Sequence, residues 1–374
     1  MNLLTGMNWL RALAALFVVI YHLNQHLPTS GFGYFGWGIH QFIWHISIMV
    51  SVFFMLSWFF RSLSYWKNID TPSSIPSFYI SLKDRFFRIA PAYYVMLILS
   101  ALATYYISGI SGINFPAFFT GFTFLTWLSP DTLFPVLLNG PLWFIPLDMI
   151  GWIMTSFFMM GLLKLKQIYY IPYFIGISIL MLGLHFLWIW LPWTPGEGIS
   201  FIWFPVYNPF IFFLHFLFGI AAAGMVTWLR RKNQESKIYF DIGYILTSII
   251  GIITLWIIRD QSDWAISIPN SPYHFPWIPF LIAITMICLP FSKYVGAMLD
   301  NQFFLFTAKL SYSIFLTHGV VMAFLLHYIF PWELSMISWI ILSLSTIILS
   351  YITGWILYKY VELIFVPVKK INNK

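Results

Sequence analysis

The chain has 374 residues, 60% of them hydrophobic, 21% aromatic and only 8% charged, with a mean hydropathy of +0.82 and a formal net charge of +7. A water-soluble domain carries about 25% charged residues, so a soluble globular fold is excluded, and disorder, collagen and coiled coil go with it. Cys288 is the single cysteine, which rules out an intrachain disulfide and leaves the redox compartment unread.

A membrane span needs roughly 20 apolar residues to cross about 30 Å of hydrocarbon. In chain order, the apolar runs predict ten helical spans, near 7–27, 40–60, 90–108, 141–163, 169–191, 209–229, 240–258, 275–290, 310–329 and 335–358. The stretch from Phe115 to Leu128, with Pro116 at its start and an interruption at Gly121, is too short to cross, so it reads as re-entrant or interfacial. With a cytoplasmic N-terminus, the inner loops hold 17 of the 19 Lys and Arg, leaving Arg259 outside and Arg11 within the first span. An eleventh span would move the 230–237 cluster and the C-terminal tail outside, against the positive-inside bias. The expectation is therefore an all-α polytopic membrane protein of about ten helices with both termini cytoplasmic. The first span reads as uncleaved, and with no repeat, no linker and short loops, residues 1–374 read as one domain with no appended soluble domain. The basic surplus orients the chain and touches anionic lipid, so no nucleic-acid partner is expected.

The segments 28–39 and 192–208 are rich in Gly, Pro and aromatics, among them Gly31, Gly33, Trp37, Trp193, Pro195, Gly196, Trp203 and Tyr207. Aromatics at the membrane interface usually anchor spans, and anchoring is favoured here over stacking on sugar rings.

Ionisable groups inside a span are costly and mark functional sites. The first span holds Arg11, His22 and His26. Eleven residues from Arg11 to His22 are close to whole turns, which puts both on one helix face about 16 Å apart along the axis. His26 is predicted one turn beyond His22. Asp148, about seven residues into its span, is predicted at the depth of His22, where a carboxylate fixes a histidine tautomer and supports its cation. Arg85 and Arg88 share a helix face at the inner end of the third span, and paired guanidinium groups suit phosphate, although positive-inside anchoring explains them without a ligand and is the stronger reading of the residues alone. His318 falls near mid-membrane in the ninth span. His185, His215, His274 and His327 read as packing or interfacial residues. No Walker loop, dinucleotide-binding glycine pattern, nucleophile elbow or metal-type His/Cys spacing is present, so neither metal catalysis nor nucleotide hydrolysis is expected.

These residues resemble a known family. Trp9 to His22, with an Arg and a His separated by ten residues, resembles the opening of the membrane acyltransferase-3 proteins. Phe53-Phe54-Met55-Leu56-Ser57, Arg85 to Pro91, Leu142-Trp143 to Asp148, Ser311 to His318, and Glu362 with Pro367 resemble further family segments in the family's order. The resemblance spans nearly the whole chain. It departs from the pattern at Ser51, where members often carry Asp, at Ser57-Trp58, where they carry Ser-Gly, and at Asp148, where Glu is usual. The extracellular SGNH domain of longer members has no counterpart in these residues.

The resemblance implies O-acyl transfer from a cytoplasmic acyl-CoA, usually acetyl-CoA, to a hydroxyl of an extracytoplasmic or lipid-linked glycan in a bacterial inner membrane. On that reading Arg11, Arg85 and Arg88 hold the donor. His22 acts as general base or briefly carries the acyl group, Asp148 orients it, and His318 lines the same cavity. The alternative from another class is a proton-coupled transporter or flippase using His22, His26 and Asp148, although the sequence lacks the paired, broken halves of such proteins.

Overall fold

The computed structural model describes residues 6–29, 34–71, 77–191, 202–259, 268, 271–330 and 334–365. Among them the secondary structure is helical throughout, with no strand. Gly31, Gly33, Trp193, Pro195, Gly196, Pro367 and the lysines of the C-terminal tail lie outside the described residues.

Helices follow because hydrocarbon offers no partner to the backbone, so each span must satisfy its own N–H and C=O groups. They are α1 (Met7–Asn24), α2 (Tyr34–His45), α3 (Met49–Lys67), α4 (Phe78–Ser108), α5 (Phe115–Thr123), α6 (Phe144–Leu162) and α7 (Tyr170–Trp190). Then come α8 (Pro209–Arg231), α9 (Ile238–Ile258), α10 (Trp277–Cys288), α11 (Val295–Leu299), α12 (Gln302–Tyr328) and α13 (Met336–Leu357). Eight helical stretches among the described residues are long and apolar enough to cross a membrane. The other two predicted spans are helical but marginal. Helix α1 has 18 residues and contains Asn8, Arg11, His22 and Asn24. Helix α10 has only 12 residues, extended by a 3₁₀ turn at Leu289–Phe291. The stretch after Phe115 forms the nine-residue α5, too short to cross.

Three boundaries differ from the sequence expectation. Helix α4 begins at Phe78, not near residue 90, and runs through Pro91 without stopping. The Ser77 hydroxyl caps its start by accepting from the Ile80 N–H at 3.4 Å. The second span is longer than expected because α2 leads into α3 through a 3₁₀ turn at Ile46–Ile48. The fourth is preceded by a 3₁₀ segment, Leu137–Trp143, whose Asn139 is non-helical (φ −116°, ψ 63°). Irregular backbone at membrane depth survives only where protein covers it, and Asn139 is fully buried.

The core is aromatic. Phe54 of α3 stacks on Phe144 of α6 at 4.2 Å, and Trp58 meets Phe216 of α8 at 5.0 Å. Helices α3 and α8 approach closely because Gly219 leaves room for the carbonyl of Met55; a Cβ there would fall on that backbone oxygen. Backbone cannot swing aside as a side chain does. Gly219→Ala is therefore expected to cost roughly 1–3 kcal/mol, read as a lower melting temperature of the detergent-solubilised protein. Gly176→Ala, also inside a helix but with open space around its added methyl, serves as the control and is expected to leave melting no lower than in the wild type.

Candidate active site

Small buried side chains on α1, namely Ala12, Ala14, Ala15 and Val18, let α12 and α3 pack against it. That packing brings His22 of α1 to His318 of α12, 296 positions away. The His22 Nδ1 lies 3.3 Å from the His318 Nε2, with ring centroids 5.0 Å apart. The His22 Nδ1 also lies 2.8 Å from the Val18 carbonyl oxygen, and the His318 Nδ1 lies 2.8 Å from that of Phe315.

A carbonyl oxygen only accepts, so each Nδ1 is assigned the hydrogen and each Nε2 the lone pair. The His22 Nδ1–H is then shared between Val18 and the His318 Nε2. The His22 Nε2 enters no hydrogen bond among the described residues, leaving a lone pair for chemistry. His318 is 1% exposed, whereas His22 is half-buried. A half-open base backed by an enclosed acceptor is an arrangement that can take a proton from a substrate hydroxyl.

Asp148 is elsewhere. Its carboxylate forms an ion pair with Arg85 of α4, and the Arg85 guanidinium also donates to the Ser57 hydroxyl of α3 at 2.6 Å. The expected pairing of Asp148 with His22 is thus corrected. The depth argument counted regular helix from residue 141, where a 3₁₀ segment runs to Trp143 before α6 begins, and it started α4 too late: the early start of α4 brings Arg85 in to meet Asp148. His26 also departs from expectation, because α1 ends at Asn24 and His26 belongs to the turn beyond it.

The three arginines singled out by the sequence do converge. Arg11 lies within electrostatic reach of Arg88, Arg85 and Glu362, and Arg88 within reach of Arg85 and Glu362. Glu362, held in a π-helical turn at Tyr358–Glu362, accepts a hydrogen bond from the Ser313 hydroxyl of α12. Arg61, placed by the Tyr65 hydroxyl at 3.2 Å and the Trp152 ring at 5.0 Å, borders the same group and senses Arg85. Sequence reasoning named Glu362 only as a motif element and Arg61 only as an inner-loop charge. A carboxylate four residues past the predicted apolar span 335–358 is the signal that marks Glu362.

Asn139 was missed entirely. Its amide donates to the Ser100 hydroxyl at 3.0 Å and to the Leu316 carbonyl at 3.0 Å, so the irregular segment grips α12 beside His318. Gly319 makes space for it. Of the other histidines, His185 meets the Asn208 amide at 2.9 Å and His215 the Ile211 carbonyl at 3.0 Å, both as packing residues. His274 has company that the sequence did not indicate, in His45 at 3.0 Å. Tyr207 stacks between Trp143 and Trp203, at 4.1 and 5.2 Å, which fits a structural role for these rings.

The family model described as an acyltransferase domain, that of the acyltransferase-3 proteins, matches residues 4–357. The chain belongs to the acyltransferase-3 family. Similar curated proteins occur in Staphylococcus aureus strains COL, MSSA476 and MRSA252, each named "Putative O-acetyltransferase". Each is 24% identical over 380 residues, covering 97% of this chain and 57% of the relative. This acyltransferase-3 chain therefore spans little more than half the length of those relatives. No solved structure matches it significantly.

Proposed function

We propose that this acyltransferase-3 chain moves an acyl group, acetyl in the first instance, from acyl-CoA to a hydroxyl of a glycan or lipid-linked saccharide. The observation that carries the reading is the two-ended site on α1. At one end Arg11 lies within electrostatic reach of Arg85, Arg88 and Glu362. At the other, eleven residues or about 16 Å further along the helix, His22 meets His318. Acyl-CoA has a polyanionic head and a thin pantetheine arm on the order of that length. The head suits the guanidinium cluster, and the arm carries the thioester toward His22.

In the transfer, the acceptor hydroxyl gives its proton to the His22 Nε2 as its oxygen attacks the thioester carbonyl carbon. The C–S bond breaks and CoA leaves as the thiolate, which recovers the proton from the imidazolium. The His318 Nε2 accepts from the His22 Nδ1–H and so supports the cation while it exists. Asp148 acts at the donor end, aiming Arg85. The same reading takes the ten helices as spans of a bacterial inner membrane with both termini cytoplasmic, and residues 1–374 as one unit. The donor is then reached from inside and the acceptor from outside.

The experiment is acetyl-CoA binding to protein in lipid nanodiscs. Arg88 makes no hydrogen bond or ion pair among the described residues, so Arg88→Ala removes charge without leaving a hydrogen-bond partner unpaired, and Arg11 remains to face Glu362. It is expected to weaken binding by roughly 10- to 100-fold, the cost of one lost charge-assisted hydrogen bond, and to flatten the dependence on salt. Wild-type protein that fails to bind at millimolar acetyl-CoA overturns the donor assignment.

A further inference from the structure

A fourth guanidinium extends the group formed by Arg11, Arg85 and Arg88. A snorkelling arginine sends its charge out to the headgroups, but Arg61 of α3 lies on rings inside the bundle. Its guanidinium is 5.0 Å from the Trp152 ring and 5.2 Å from the Tyr65 ring, and its Nη2 donates to the Tyr65 hydroxyl at 3.2 Å. Both aromatic residues are 2% exposed. The other N–H groups of Arg61 enter no hydrogen bond among the described residues, and it makes no ion pair there. Asp84, the carboxylate within its electrostatic reach, is exposed and also lacks an ion pair among the described residues.

Two helices fix where Arg61 stands relative to the histidines. On α3, the Phe53 ring meets Phe315 at 5.8 Å, and Phe315 meets His318 at 5.9 Å. Ser57, four residues on, holds Arg85, and Arg61 follows after four more. On α6, Phe144 meets Phe315 at 5.1 Å, Asp148 pairs with Arg85, and Trp152 lies under Arg61. Both helices give one order: histidines, then Arg85, then Arg61 one turn or about 6 Å further. Helix α4 adds a hydroxyl at that level. Phe78, Ser81 and Arg85 share a face, and Phe78 meets Trp152 at 5.7 Å. The Ser81 hydroxyl is buried, with no hydrogen bond among the described residues.

We infer that Arg61 reads the ribose 3′-phosphate of the acyl-CoA donor. The inference rests on the acyl-transfer reading above. Acyl-CoA presents its parts in a fixed sequence: thioester, pantetheine arm, pyrophosphate, then a ribose bearing a further phosphate on its 3′ oxygen. With the thioester at His22 and the pyrophosphate at Arg11, Arg85 and Arg88, the next anion along the donor meets the next guanidinium along the bundle. A planar fork already seated on two rings, with N–H groups to spare, suits a phosphate monoester. Arg61 thereby selects a 3′-phosphorylated donor over the same thioester without that phosphate.

The experiment compares acetyl-CoA with acetyl-3′-dephospho-CoA as ligands of the full chain in phosphatidylcholine nanodiscs. Wild type is expected to bind acetyl-CoA roughly 10- to 100-fold more tightly, the worth of one charge-assisted hydrogen bond, and Arg61→Gln to bind the two alike. Arg61→Lys keeps a cation without the planar fork and should retain part of the preference; it carries the test if Arg61→Gln melts too low to assay. A preference equal in wild type and both variants gives the 3′-phosphate to another group and overturns the inference. In phosphatidylglycerol nanodiscs, lipid retained by wild type and lost from Arg61→Gln, with the donor preference unchanged, would assign Arg61 to a headgroup phosphate instead. Wild type that binds both donors equally overturns the inference and leaves the donor reading standing, whereas wild type that binds neither removes both.

Discussion

Replacing His22 by alanine is expected to lower acyl transfer by about 10²–10⁴-fold, the usual contribution of a positioned general base, with acetyl-CoA affinity unchanged. The affinity should hold because the donor cluster sits about 16 Å away along α1. His318 acts through His22 and not on the substrate, so its replacement has a different signature. His318→Ala removes the acceptor for the His22 Nδ1–H, 3.3 Å away. Losing a hydrogen bond to a charged partner costs about 1.5–3 kcal/mol, or roughly 10- to 100-fold in kcat. His318→Gln offers an amide oxygen in nearly the same place and should recover part of the loss, whereas His318→Phe should recover none. Acyl-transfer kinetics of the four variants, measured at matched protein level, separate a base from a packing residue. If His22→Ala keeps wild-type kcat, the proton path is wrong.

The second large effect concerns stability. The Asp148 side chain is 3% exposed and its ion-pair partner is Arg85. Arg85→Ala leaves that carboxylate buried without its counter-charge, which costs about 3–5 kcal/mol when one member of a buried pair is removed. The variant should accumulate poorly and melt at a much lower temperature. Replacing both members, Arg85→Leu with Asp148→Leu, removes the stranded charge and is expected to restore melting to near wild type. Acetyl-CoA binding should remain weak in the double variant, because Arg85 contributes to the donor cluster. Melting as low in the double variant as in Arg85→Ala would mean that Arg85 stabilises the bundle through packing alone.

The helices were legible because each is a long apolar run, and hydrocarbon leaves the backbone no other option. Their ends were less so. Nothing in hydropathy distinguishes the polar first turns of α4, from Phe78 through Arg88, from an inner loop, although Ser77 at the cap position is a start signal. The whole-turn spacing of Arg11 and His22 gave a correct shared face, since it depends only on helix geometry. Asp148 failed because depth was counted from an assumed boundary, and a 3₁₀ segment with a kink at Asn139 stood where regular helix was assumed. His318 was placed by depth alone; its contact with His22 comes from helix packing across 296 positions, which no local pattern encodes. Asn139 carries no motif, and only the structure shows it bracing Leu316 and Ser100.

The ion pair between α4 and α6 also constrains how the chain is made. Arg85 is synthesised 63 residues before Asp148, and a lone guanidinium two turns into a helix, turned toward the bundle and not toward the headgroups, opposes that helix's release into lipid. Helix α4 therefore has reason to wait in the insertion machinery until α6 emerges and supplies the carboxylate. The two helices, with α5 between them, would then partition into the bilayer as one unit, so that a contact of the finished protein sets the order of events at the ribosome.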